Sequence, residues 1–382
     1  MRFTRSKALL IVMGGDFILR TIYATTRPLF PSGPDAPTYI PAALDFAKYG
    51  YLSPKITGAP YFPMGYPLLI SIIPKINADH WVRIVQIAQI TMSVASIYLL
   101  YRAVLNYFKS ENLALASALC FALLPAYSVM AGEAMYETLM IFLLLLFILA
   151  IGRSHSSARA SVAAGIVGGF AIVVHPRVLP LVALGFLYLL VKRKFAAAVL
   201  AICSTVIVDL IFLVRNLHLY NSFTLYGAGQ VNYNIGHAKP CSSLTCDISQ
   251  PFLHFSVFKE SLKNAYYFLS PVSGSATHGT WFHNLSIFSW LSNHGFSKVA
   301  MTVIAVILAI VSIKTLVFGS WNLWSGRKYE VALFTGVFAL ALFTAFIMHG
   351  DSRQRLVVAP LVIPIQLAGV AFLVRKVSSM RD

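Results

Sequence analysis

Long apolar segments separated by short polar ones run through the 382 residues of the chain. Apolar runs of roughly 17 to 20 residues recur along the whole length, and a helix of that length crosses the hydrocarbon core of a bilayer. A single anchor or a removable signal peptide does not produce this pattern. The pattern predicts about ten membrane helices with both chain ends on one side, near residues 8–24, 81–100, 112–128, 136–151, 160–174, 178–191, 195–214, 298–317, 331–348 and 356–374.

The composition is that of an integral membrane protein. Hydrophobic residues make up 58% of the chain and charged residues 11%, and the mean hydropathy is +0.74. Soluble domains carry about 25% charged residues, so the soluble, disordered, fibrous and disulfide-scaffold classes are excluded. We predict an all-α polytopic membrane protein in which residues 1–382 form a single transmembrane domain, with no separate soluble domain.

The formal charge of +17 is unevenly distributed along the chain. Just over half of the 30 Lys and Arg residues fall in the short segments on the side of the N-terminus, namely Arg2, Arg5, Lys7, Arg102, Lys109, Arg153, Arg159, Lys192, Arg193, Lys194, Lys314, Arg327, Lys328, Arg375, Lys376 and Arg381. Cytoplasmic loops are enriched in basic residues, so we expect this side to be cytoplasmic and the long loops 25–80 and 215–297 to lie outside. The charge is then mainly topogenic, and no nucleic-acid partner is predicted.

The first outer loop is predicted to contain a short amphipathic helix. Asp35 suits its N-cap, and Gly50 suits its end after Tyr49. Its apolar residues form a face that we expect to lie on the membrane surface. Asp35 is then either a capping residue or a general base that takes a proton from a hydroxyl at headgroup depth. Further along, the proline spacing in residues 63–67, which include Tyr66, predicts a turn and a short interfacial segment.

Charged residues gather at the outer ends of the predicted helices. Glu133 and Glu137 are four apart and are predicted to share a helix face. Glu133 suits the helix dipole, whereas the deeper Glu137 requires a bonding or functional partner. Four basic residues are predicted at the same depth on the outer side, where the topology of the chain does not require positive charge. They are Arg177, Arg215, Arg353 and Arg355. These arginines either pair with Asp35, Glu137 and Asp351 or bind a phosphate, to which Arg presents a forked set of donors.

Several pairings and ligand sites are predicted from spacing alone. Asp16 and Arg20, four apart in the first helix, are predicted to form an ion pair. Cys241 and Cys246 in the second outer loop favour a disulfide, with two free thiols as the alternative. The cysteines predicted to be small core residues of helices are Cys120 and Cys203. The histidines match no metal motif and no nucleotide-binding fingerprint is present, so neither metal nor cofactor is predicted.

Six segments in the same order resemble the GT-C superfamily of polyprenyl-phosphate-sugar glycosyltransferases, especially the bacterial branch related to protein O-mannosyltransferases and the lipid A aminoarabinose transferase. They are PDAPTYIPAALDFAKYG, FPMGYPLL, YETLMIFLLLL, HPRVLPL, VRNLHLYNSFTLYGAGQVNYNIGH and HGDSRQRLVVAPL. The resemblance covers most of the chain. The chain departs from the pattern at Ala36, where many relatives carry a second carboxylate, at Gln354, where an aromatic residue often stands, and in having HPR for a simple RP. It also ends after the last predicted helix, without the soluble outer domain of larger relatives.

The resemblance implies an inverting sugar transfer at the outer face of a bacterial inner membrane. Asp35 would deprotonate an acceptor hydroxyl, which attacks the anomeric carbon of a sugar on a polyprenyl phosphate. The acceptor would be a glycan, a lipid or a protein, and membrane lipids would surround the chain. The residues implied to bind or orient the donor phosphate are Arg353, Arg355, Arg215, Arg177, His349 and Asp351. The residues implied to hold the acceptor or support the site are Glu137, Tyr39 and Tyr66.

Two other activities fit the same layout. A polymer ligase that uses a lipid-diphosphate donor is also rich in outer arginines, but it does not need Asp35. A lipid or sugar flippase would carry charged residues along a path to the cytoplasm. The long loops on one face favour an enzyme over a transporter, which is commonly built from two similar halves with access from both faces.

Overall fold

The computed structural model describes residues 5–25, 36–50, 63–77, 79–221, 223–225, 258–259, 261–262, 265, 298–347 and 352–379. Within these ranges every regular element is helical, as predicted. The α-helices are α1 (Arg5–Thr25), α2 (Ala36–Tyr49), α3 (Gly65–Ile70), α4 (Ile72–Ile76), α5 (Trp81–Phe108), α6 (Glu111–Leu123), α7 (Pro125–Gly132), α8 (Tyr136–Arg153), α9 (Ala158–Val174), α10 (Leu179–Val191), α11 (Phe195–Tyr220), α12 (Lys298–Ile347) and α13 (Ser352–Ser378). A 3₁₀ turn over Pro176–Val178 joins α9 to α10.

Six of the helices in the described ranges are long and apolar enough to cross a membrane. They lie in α1, α5, α8, α11, α12 and α13. A seventh span results if α6 and α7, which are bent by 65° relative to each other, act together. The apolar helices α9 and α10 are shorter than the roughly 20 residues that a span requires. The prediction of a helical membrane protein is confirmed, whereas the number of ten spans is not.

The long element α12 consists of two helices that meet at a kink. The sequence pattern predicted two helices, 298–317 and 331–348, with a polar connection between them. The kink lies within this connection at Arg327, whose φ of −143° and ψ of 36° are not helical. The two helices extend further than predicted into the connection, which contains no proline to end them. Hydropathy therefore located the break correctly, and only the helix ends differ.

The helices run back and forth between two ends of the bundle. The loop end is the end on which α2, α3 and α4 pack. There Gly65 of α3 meets Val174 at the end of α9, because a Cβ at Gly65 would lie 2.7 Å from the Val174 nitrogen. At the opposite end, the Lys192 ammonium that follows α10 lies 2.9 Å from the Glu330 carboxylate of α12. We call this opposite end, which carries Lys109, Arg153, Lys192 and Arg327, the basic end.

Glycines allow α9 and α11 to pack with their backbones in contact. A Cβ at Gly165 would collide with the Ala201 carbonyl, and a Cβ at Gly169 would lie 2.8 Å from Val208. The Thr205 hydroxyl donates to the Gly165 carbonyl at 2.9 Å. Small residues four apart are a common basis of helix association in membranes. This contact fixes α9, whose C-terminal end reaches the site described below.

The cysteine predictions are confirmed in part. Cys120 is half-buried in α6, whereas Cys203 lies on an exposed part of α11, so its prediction as a core residue is wrong. A helix without strong amphipathic periodicity does not reveal which face packs on protein and which faces lipid. Cys241 and Cys246 lie outside the described residues.

Candidate active site

The short helix α2 forms as predicted at the loop end. It ends at Tyr49, and Gly50 follows with a positive φ of +74°, which glycine adopts without strain. The Gly50 amide donates to the Phe46 carbonyl at 3.0 Å. Asp35 lies outside the described residues and directly precedes Ala36, the first residue of α2.

The apolar face of α2 packs on protein, which corrects the prediction that this face lies on the membrane surface. Tyr39, Ile40 and Phe46 are buried, and Leu44 is 41% exposed. Phe46 packs with Met64, which precedes α3. The apolar pattern of a short helix indicates which face is buried, but it does not distinguish a protein surface from lipid.

An aromatic cluster joins α2, α3 and α8 at the loop end. The Tyr39 ring meets Tyr66 edge-on with centroids 5.4 Å apart, and it meets Tyr136 edge-on at 6.1 Å. Tyr136 in turn stacks on His175 at 4.8 Å. Such pairs stabilise a fixed arrangement beyond the burial of their area. Two of the predicted supporting residues, Tyr39 and Tyr66, therefore meet in one buried cluster.

Hydrogen bonds from α5 fix the bend between α7 and α8. The Tyr66 hydroxyl donates to Gln89 Oε1. Gln89 Nε2 donates to the carbonyls of Ala131, at 3.3 Å, and Glu133. Gln86 Nε2 donates to the Gly132 carbonyl at 3.1 Å. Neither glutamine was predicted from the sequence. Their signal is a pair of amide side chains three apart in a helix long enough to span a membrane, where unpaired polar groups are costly.

Glu133 and Glu137 do not share a helix face, which corrects another prediction. Glu133 lies in the bend after α7, and α8 begins only at Tyr136, so Glu137 is the acidic residue of its first turn. The Glu137 side chain is 1% exposed, in agreement with its predicted depth. Burial raises the pKa of Tyr66 well above its usual value of 10, and the Glu137 carboxylate raises it further. The Tyr66 hydroxyl therefore keeps its proton and remains a hydrogen-bond donor at neutral pH.

Arg177 lines a cleft between α8, α10, α12 and α13. It belongs to the 3₁₀ turn, where its backbone amide donates to His175 Nδ1 at 3.3 Å. The cleft is open to its surroundings, and the space within its outline, open solvent included, is about 430 Å³. Its other lining residues are mostly apolar and are Tyr136, Met140, His175, Val178, Leu181, Ala341, Thr344, Val357 and Val358. Among the described residues that line this largely apolar recess, Arg177 is the one arginine, and it stands next to the aromatic cluster.

Arg355 lies on α13 close to the same cleft. Val358, which lines the cleft, is three residues further along the helix, so the two residues share a helix face. Arg355 acts electrostatically on the Tyr127 hydroxyl, which donates to the Leu356 carbonyl at 3.0 Å. Arg177 therefore lines the cleft, and Arg355 lies on α13 about one helical turn from its lining residue Val358.

A buried ion pair in α1 adds another cation near Tyr127. As predicted, Arg20 pairs with Asp16, and Arg20 Nε lies 2.5 Å from Asp16 Oδ2. Arg20 is fully buried, and its Nη1 and Nη2 have no hydrogen-bond partner within the described ranges. Arg20 also acts electrostatically on the Tyr127 hydroxyl. The sequence spacing predicted the pair but not the two remaining donors of Arg20.

Arg215 lies at the loop end with contacts to α2. Its guanidinium lies over the Phe46 ring at 5.0 Å, and Nη1 lies 3.2 Å from Asn216 Oδ1 and 3.5 Å from Met64 Sδ. Arg215 therefore helps to hold the end of α11 against α2. The Arg353 side chain is not among those described, and the other predicted site residues outside the described ranges are Asp35, His349 and Asp351.

Comparisons with known proteins agree with the resemblance seen in the sequence. A model of the family Dolichyl-phosphate-mannose-protein mannosyltransferase matches residues 62–218, which are fewer than half of the chain. The archaeal oligosaccharyltransferase AglB from Archaeoglobus fulgidus, solved with an inhibitory peptide and a dolichol-phosphate, has a similar fold. Its TM-score is 0.56 at 15% sequence identity, over 99% of this chain and 51% of AglB, so this chain spans about half the length of AglB.

No curated protein matches the sequence. The matched family segment contains Tyr66, Glu137, Arg177 and Arg215. The fold match extends over nearly the whole chain, including α12 and α13. The family match over residues 62–218 and the fold shared with AglB agree with the resemblance of the chain to the GT-C superfamily of glycosyltransferases.

Proposed function

We propose that the protein transfers a monosaccharide from a polyprenyl-phosphate donor to a hydroxyl of a glycan, lipid or protein acceptor, with inversion at the anomeric carbon. The observation that carries this proposal is the cleft at the loop end. It combines an apolar lining, which suits a polyprenyl chain, with Arg177 and the nearby Arg355, which suit its phosphate. The AglB structure, which contains a dolichol-phosphate, gives independent support for a lipid-linked donor.

The acceptor is proposed to bind between this cleft and α2. Tyr39, Tyr66 and Tyr136 form a continuous cluster from α2 to the cleft, and Tyr136 is itself part of the cleft lining. Glu137 lies next to Tyr66 in the first turn of α8. Asp35, which directly precedes α2, is the proposed general base on this side.

The proposed reaction needs one base and several fixed cations. Asp35 takes the proton of the acceptor hydroxyl as its oxygen forms a bond to the anomeric carbon. The bond between that carbon and the phosphate oxygen breaks, and the polyprenyl phosphate leaves with an added negative charge. Fixed donors aimed at such developing charge stabilise the transition state. Arg177 and Arg355 are the proposed donors, with Arg353 and Arg215 as further candidates and His349 and Asp351 in supporting roles.

Donor specificity tests the proposal directly. Purified protein in detergent is supplied with a membrane extract as acceptor and with one of three labelled donors: a polyprenyl-phosphate sugar, a polyprenyl-diphosphate sugar or a nucleotide sugar. We expect transfer of label only from the polyprenyl-phosphate sugar. Transfer from the diphosphate donor alone would instead identify a polymer ligase, and movement of the lipid between leaflets without transfer would identify a flippase. Mass spectrometry of surface glycans with and without the gene then identifies sugar and acceptor.

The loop end is proposed to face away from the cytoplasm, in a bacterial inner membrane. In a background without native cysteines, an impermeant maleimide added to intact cells should label Gly33→Cys and Ser249→Cys and should leave Arg193→Cys protected. The expectation rests on the basic segments, which are retained in the cytoplasm. Permeabilised cells, in which all three variants should react, provide the control. Labelling of Arg193→Cys in intact cells would reverse the orientation and place the proposed site in the cytoplasm.

A further inference from the structure

Two adjoining clefts open at the basic end of the bundle. One has an empty volume of about 1070 Å³ and is lined by Arg102, Leu105, Asn106, Lys109, Glu111 and Arg153. The other has about 770 Å³, and its charged lining residues, together with its histidine, are Lys109, His155, Lys192, Lys194, Arg327 and Glu330. Asn106 and Lys109 belong to both linings, so the two clefts form one continuous recess, which we call the basic cleft.

The basic cleft has a large excess of positive charge. Its described lining holds six Lys and Arg residues against two acidic residues, Glu111 and Glu330. Glu330 is already engaged, because Lys192 Nζ lies 2.9 Å from its carboxylate and the Tyr188 hydroxyl donates to it at 3.3 Å. The remaining cations converge on a concave surface. Orientation of the chain in the membrane requires basic residues at this end but does not require a recess lined by them.

The walls of the basic cleft are fixed by packing. A Cβ at Gly152 would collide with the Asn106 side chain, so α5 and α8 are in close contact at the cleft. Beside it, the Tyr107 hydroxyl donates to the Ile148 carbonyl at 2.8 Å, and the Tyr107 ring meets Phe334 edge-on at 5.3 Å. Close packing of this kind keeps the recess open without a ligand.

The backbone at the end of α5 also places a cation in the cleft at a conformational cost. Lys109 is the residue after α5 and has a φ of 55°. This left-handed conformation usually belongs to glycine, and a side chain is disfavoured there. A lysine at this position is consistent with a use for its charge inside the recess.

We propose that the basic cleft binds the phosphate headgroup of an anionic glycerophospholipid. Arginine and lysine bind phosphate oxygens well, and basic recesses between membrane helices are suited to anionic headgroups. Leu190 and Val191, which directly precede Lys192, are 37% and 48% exposed. Their apolar surface next to the cations favours a lipid over a soluble anion. The site lies at the opposite end from the proposed active site, so the inference does not depend on the proposed function.

Native mass spectrometry of the purified protein tests the proposal. Phosphatidylglycerol is titrated into the parent, into the cleft variant Arg102→Gln/Arg153→Gln and into the control variant Arg375→Gln/Lys376→Gln. The control removes the same charge from exposed residues at the end of α13 that do not line the cleft. We expect the cleft variant to bind phosphatidylglycerol roughly 30-fold more weakly than the parent, and the control variant to bind it as the parent does.

Phosphatidylcholine and free glycerol phosphate distinguish a site for an anionic lipid from a site for any lipid or for any phosphate. Phosphatidylcholine should bind far more weakly than phosphatidylglycerol, and free glycerol phosphate should not compete at similar concentrations. Equal loss of binding in both variants would overturn the proposal in favour of diffuse attraction to the basic end. Unchanged binding in a cleft variant with parental thermal stability would also overturn it, as would glycerol phosphate that binds as tightly as the lipid.

Discussion

Replacement of Asp35 by Asn is expected to lower sugar transfer by roughly 100-fold or more while the protein remains folded. Asp35 directly precedes α2, so it stands where a helix N-cap would stand. An N-cap tolerates Asn, because the amide oxygen still accepts a hydrogen bond from the backbone. A general base does not tolerate it, because the amide has no lone pair basic enough to take the hydroxyl proton. The two roles of Asp35 therefore predict opposite results.

The comparison uses the parent, Asp35→Asn and Asp45→Asn in the same detergent. Asp45 is a buried carboxylate within α2, so its replacement removes the same charge from the same helix without touching the helix start. Thermal stability, donor-lipid binding and transfer are measured for each. Loss of transfer in Asp35→Asn alone, with parental stability and donor binding, supports the base. Full transfer by Asp35→Asn would exclude the Asp35 carboxylate as the general base. Glu137, beside Tyr66, would then be the candidate carboxylate.

The sequence predicted well those features that depend on local chemistry. The start of α8, the end of α2 at Gly50 and the pairing of Asp16 with Arg20 follow from apolar length, glycine and helical spacing. The depth of Glu137 also follows from its position inside an apolar run. Each of these features is determined by residues within one or two helical turns.

The features that the sequence did not predict depend on residues far apart in the chain. Gln89 donates to carbonyls more than 40 positions away, and a polar residue in an apolar helix reveals that it needs a partner but not which one. The environments of the apolar face of α2 and of Cys203 in α11 were predicted wrongly for a related reason. Apolar side chains look the same in sequence whether they pack on protein, as Phe46 does, or remain exposed, as Leu44 does.

Replacement of Arg355 by Ala is expected to lower transfer roughly 100-fold, which corresponds to about 3 kcal/mol of transition-state stabilisation. In the proposed reaction, the leaving polyprenyl phosphate gains negative charge as its bond to the sugar breaks. A guanidinium fixed next to the cleft stabilises that charge more than it stabilises the bound donor, so the loss should appear in kcat as well as in donor affinity. Lys at the same position should restore only part of the activity, since it keeps the charge but loses the forked donors.

Arg375 provides a matched control on the same helix. It lies near the other end of α13 and is exposed, so Arg375→Ala removes the same side chain far from the proposed phosphate site. Arg353→Ala is measured in parallel, because Arg353 is only two residues from Arg355. Unchanged transfer in both Arg353→Ala and Arg355→Ala would assign the phosphate to Arg177 and Arg215. If Lys restores the activity lost in Arg355→Ala completely, the site needs a positive charge near Tyr127 rather than a bidentate donor. Arg20, which also acts electrostatically on the Tyr127 hydroxyl, would then contribute to that positive charge.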